Sequence, residues 1–94
     1  KLYAWSHKHE TDKNGGVYVN NKEFGTPSAT SSMSSKERSY FVLGNLAAVY
    51  HNNKTAPEAY ASGDTVMMGQ QPIMTSTGSD ASATELAQKL NKIK

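Results

Sequence analysis

The sequence predicts an α+β fold, and three observations carry that prediction. Apolar and polar residues alternate near the N-terminus. A long stretch after residue 34 spaces its apolar residues at 3.6 behind a capping signal. A shorter stretch with the same signal closes the chain. The expected architecture is an N-terminal β-hairpin and a small antiparallel sheet packed on a central helix, with a short C-terminal helix. At 94 residues the chain fits one domain, 1–94.

The elements follow in order. Residues 2–8 and 17–24 both alternate with period two. Tyr3, Trp5 and His7 share one face of the first strand, and Val17 and Val19 share one face of the second. Asn14-Gly15 between them accepts the positive φ of a type I′ turn. Residues 25–35 (GTPSATSSMSS) offer hydroxyls and almost nothing to bury, so they read as a flexible Ser/Thr-rich arm. Ser34 and Glu37 then fit the N-cap and N3 positions of a helix that runs to about His51 and stops at Asn52 or Asn53. Tyr40, Val42, Leu43, Leu46, Ala47, Val49 and Tyr50 fall on one broad arc of it, with Phe41 outside the arc.

Thr55 and Glu58 repeat the capping pattern around Pro57, which predicts a short helix through Ala61 that Gly63 ends. Residues 65–68 and 73–75 are strand candidates, and residues 75–82 form a polar linker. Ser82 and Glu85 cap the last helix, whose apolar stripe is Ala83, Leu86, Leu90 and Ile93. No internal repeat is visible.

Composition narrows the function classes. Leu, Ile, Val and Phe make up roughly 15% of the chain, below what a self-sufficient core usually contains. A chain this size buries little against its backbone entropy, which points to a core completed by a neighbour. A net charge of +2, with no block of Lys and Arg, argues against a nucleic-acid partner. No stretch is apolar for long enough to insert in a membrane. There is no Cys, so disulfides and thiolate metal sites are excluded.

The candidate sites are few. Glu10, Asp12 and Asn14, followed by Gly15, place oxygen ligands at alternate positions as the first half of an EF-hand loop does. The residue at loop position 12 is Asn21, which lacks the bidentate carboxylate, so a polar hairpin turn competes with calcium binding. His7 and His9 share a strand face, but two ligands do not make a metal site, and His51 is far along the sequence. No nucleophile elbow, phosphate loop or framed pair of carboxylates is present, so the chain reads as a non-enzyme without a cofactor.

Tyr3 and Trp5 could form an aromatic sheet face for glycan or single-stranded nucleic acid, and a ligand-binding module is the alternative reading. Phe41 lies beside Gly44 and Ala48, whose small side chains let another backbone approach. These residues are the leading binding candidates, for a protein partner that is either self or a larger assembly. The competing expectation is that the 25–35 arm or the C-terminal helix folds over Phe41.

The phrases KLYAW, TPSAT and SGDTV resemble segments of small accessory, decoration-type proteins of phage particles and of β-rich bacterial surface modules. That resemblance implies a non-catalytic structural role on a virion or extracellular surface, such as decorating or cementing a shell. No functional residue is carried over from it.

Overall fold

The computed structural model describes residues 9–94. The expected strand over residues 2–8, with Tyr3, Trp5 and His7, therefore lies outside the described residues. Eight elements follow in the order β1 (His9–Thr11), β2 (Val17–Val19), β3 (Lys22–Gly25), α1 (Ser35–Asn52), β4 (Ala59–Ser62), β5 (Thr65–Met68), β6 (Gln71–Thr75) and α2 (Ala83–Ile93). The fold is α+β, as the sequence predicts. Two three-stranded antiparallel sheets, β1-β2-β3 and β4-β5-β6, take the place of the single sheet expected.

The first hairpin differs from its expectation in a way that Asn explains. The stretch 17–24 is not one strand. Val19 pairs with Lys22, so Asn20 and Asn21 form a two-residue turn with φ of 54° and 69°. A type I′ turn needs positive φ at both positions, and Asn tolerates it better than other residues with a side chain. Asn14-Gly15 instead lies in a wider loop between Thr11 and Val17, which are paired across the ladder.

The predicted helix around Pro57 is also absent, because β4 occupies its second half. Ala59 points into the core, Tyr60 points out and Ala61 packs partly inward, a period of two. Gly63 (φ +62°) opens a two-residue turn into β5, with Ser62 opposite Thr65. A Gly at that first position is what a type II′ hairpin selects.

Both long helices start where the sequence places them. Ser34 and Ser82 each accept from the backbone N–H three residues on, and Glu37 and Glu85 return the bond to the cap backbone. All four stripe residues of α2 are buried, together with Ala87. The inward face of α1 is Ser39, Val42, Leu46, Val49 and Tyr50. Tyr40 and Ala47, expected on that face, point to solvent, and Leu43 packs at its margin. Ser39 replaces them because its hydroxyl reaches the Gly15 and Ser35 carbonyls, so a polar residue is buried with its hydrogen bond made.

The two halves of the chain repeat one design that the sequence does not display. Each is three strands and a helix. In each, a two-residue turn (Asn20-Asn21, Gly69-Gln70) joins the second and third strands. The third residue after the turn, Phe24 or Ile73, is a bulge skipped by the pairing register. Phe24 and Ile73 are both fully buried. The helices are shared: α1 packs on β1 and β2 but also on β6, while α2 packs on β4 and β5 but also on β3. One core therefore runs through both halves, from Val17 and Phe24 to Leu46, Ile73 and Leu90.

Helix side chains cover two sheet edges. Asn91 exchanges both amide hydrogen bonds with the Ala59 backbone, and Asn45 donates to the carbonyl of the bulged Ile73. These edges are thus blocked against adding another strand.

Candidate interaction surface

The face of α1 turned away from the core carries Glu37, Tyr40, Phe41, Gly44, Ala47, Ala48 and His51, at helical spacing. Phe41 is 67% exposed and Tyr40 57%. Neither the 25–35 segment nor α2 closes over Phe41. From Ser39 to Asn53 the sequence contains no Lys, Arg, Asp or Glu, so the middle of this exposed face is uncharged. At its N-terminal end Lys36 sits 5.8 Å from the Tyr40 ring and donates to the Asp12 carbonyl at 2.8 Å.

Two hollows flank the helix. Phe41 borders one of about 280 Å³, with Met33 on one side and Pro72 of β6 on the other. Gly44, Ala47, Ala48 and His51 border a second of about 520 Å³, which reaches His9 on β1. A Cβ placed on Gly44 would meet nothing within 4 Å. Glycine in the middle of a helix costs about 1 kcal/mol relative to alanine, and no contact within the described residues requires it. Gly44→Ala should therefore stabilise the isolated chain by about 0.5–1 kcal/mol in urea unfolding.

A groove of about 650 Å³ is the counterpart of the Phe41 hollow in the other half. It lies between α2 and the end of β3, over Phe24 and Leu86, with Lys89 and Lys92 on its rim. Its floor is core, and Thr26, Ser79, Glu85 and Gln88 line it with the two lysines. Asp80, at one end, is already fully engaged. Its side chain is 3% exposed and accepts from the Ser28 and Thr77 backbones and hydroxyls, and it pairs with Arg38 at 3.1 Å. Arg38 also donates to the Ser28 and Thr75 carbonyls. This cluster fastens the 25–35 segment, α1 and the 75–82 connection to one another. It joins the two halves of the fold.

The loop that holds the calcium candidates uses its acid internally. Asp12 Oδ1 accepts from the backbone N–H groups of Asn14 and Gly16, both at 2.9 Å, and Oδ2 accepts from the Tyr18 hydroxyl at 3.2 Å. The two N–H groups, with the Tyr18 hydroxyl, hold the carboxyl below its ordinary pKa. Donors thus point at both oxygens that a cation would need. Glu10 sits opposite Tyr18 on β1 and borders the same shallow hollow as Asp12 and Tyr18. Among the described residues no three His, Asp or Glu side chains converge as metal ligands. His9 stacks on Tyr50, with ring centroids 4.6 Å apart.

Of the binding candidates, the structure brings Phe41, Gly44 and Ala48 onto one exposed helix face. Tyr3 and Trp5 lie outside the described residues. The exposure of Tyr40 and Ala47 on the same face was hidden by their apolar character, which places them on the core arc in a helical projection. Among the described residues no helix is long and apolar enough to cross a membrane. No protein-family model matches the chain, and no curated protein or solved structure matches it significantly.

Proposed function

We propose that this chain is a non-catalytic assembly protein that works through protein–protein contacts made by the outer face of α1. The observation that carries the reading is the contrast between a closed core and Phe41. The core residues from both halves are at most 9% exposed, yet Phe41 and Tyr40 stand in water, with the small residues Gly44, Ala47 and Ala48 following them on the same face. Burying one Phe ring is worth roughly 1.5–3 kcal/mol, and large apolar side chains grouped at the surface mark contact sites. The decorating or cementing role implied by the sequence resemblance is one such function.

Phe41→Ser tests it. The variant should keep its melting temperature within about 3 °C, since a surface change is worth less than about 0.5 kcal/mol. It should also lose its place in the native assembly, read by light scattering and co-sedimentation. Unchanged attachment would remove the proposal.

A further inference from the structure

The outer face of α1 is complementary to itself, and we propose that its partner is a second copy of this chain, paired antiparallel through α1 about a two-fold axis at Gly44. The proposal rests on the assembly reading above and names its occupant. Gly44 lies at the middle of α1, which has 18 residues and so spans about 27 Å. Turning a second α1 over about that point sets Phe41 against Ala48 of the second copy, and Tyr40 against Ala47. Each large ring meets a small side chain. At the centre Gly44 meets Gly44, where open space on both sides lets the helices approach closely.

Charge follows the same symmetry. Glu37, in the first turn of α1, falls opposite His51 in the last turn of the second copy, so a carboxylate meets an imidazole. The positive N-terminal end of each helix also lies beside the negative C-terminal end of the other. The uncharged stretch from Ser39 to Asn53 fills the space between these ends. A parallel pair would instead stack Phe41 on Phe41 and Glu37 on Glu37. A two-fold contact needs one patch that complements itself, which this face provides.

A helix face of this length supplies about a third of the roughly 800 Å² per partner typical of a stable complex. Self-association is therefore expected to be weak and concentration-dependent.

Because the chain has no Cys, single cysteines report the register without background. In the full chain, Gly44→Cys should form a covalent dimer under mild oxidation, since that position faces itself across the axis. His51→Cys alone should not, and Phe41→Ser added to Gly44→Cys should slow the cross-linking at least tenfold. Sedimentation of the unmodified chain should show a concentration-dependent dimer. A monomer throughout, or His51→Cys linking as fast as Gly44→Cys, overturns the proposal. If the chain stays monomeric while Phe41→Ser still loses attachment to another protein, self-pairing fails and the assembly reading stands. If Phe41→Ser changes neither, both fail.

Discussion

Asp80→Ala is expected to cost about 3–5 kcal/mol of folding stability, a drop of some 15–30 °C in melting temperature for a domain of this size. The reason is what it abandons. Arg38 has only 11% of its side chain exposed and would keep a buried charge without its counter-ion. The Ser28 and Thr77 backbone N–H groups would lose their acceptor as well. The same site sets the acid limit of the fold. Burial alone would raise the Asp80 pKa, but the donors from Ser28, Thr77 and Arg38 outweigh it and hold the carboxyl well below the usual range.

A carboxyl more acidic folded than unfolded stabilises the fold above its unfolded pKa of about 3.9, and that contribution is lost as pH falls below it. Melting temperature should stay level down to about pH 5 and fall below about pH 4. Asp80→Asn should start lower and fall less steeply. An unchanged acid limb would remove Asp80 from this role.

The two phenylalanines should behave as opposites. Phe24 is 1% exposed, set by the β3 bulge under α2 beside Leu86. Phe24→Ala should cost about 3–5 kcal/mol, the sum of lost burial and the cavity left behind. Phe41→Ala should change stability by less than about 0.5 kcal/mol. Urea unfolding of both variants, with equal slopes, checks the pair; equal losses would mean that Phe41 belongs to the core after all.

Legibility in the sequence followed the range of the interaction. Both long helices could be read because a capping box is a four-residue event, complete at Ser34–Glu37 and again at Ser82–Glu85. The same local pattern misled at Thr55–Glu58, where pairing with β5 outweighs it and Ala59 and Ala61 turn inward. Reading residues 17–24 as one strand concealed the Asn20-Asn21 turn, because only Val17 to Val19 alternate and Phe24 regains an inward position through the bulge after the chain has reversed. Phe41 was legible because its place outside the apolar arc needs only the helical period. The Arg38–Asp80 pair was not, since 42 residues separate its partners and no local period links them. The repeated design of the two halves was invisible for a similar reason: it lies in register and bulge position, while the side chains differ.

The shared helices make the protein vulnerable to choosing the wrong molecule as it folds. Each helix packs on its own half's strands and also on the third strand of the other half, and residues 53–58 connect the two halves. At low concentration the matching half is the one on the same chain. At high concentration a half from another chain offers the same surfaces, and two chains could trade halves into an entwined dimer without any new contact. Such a species would form only on refolding and would separate only by unfolding, whereas α1 pairing would dissociate on dilution. Refolding from denaturant at rising concentration, followed by dilution, separates a kinetic trap from an equilibrium contact.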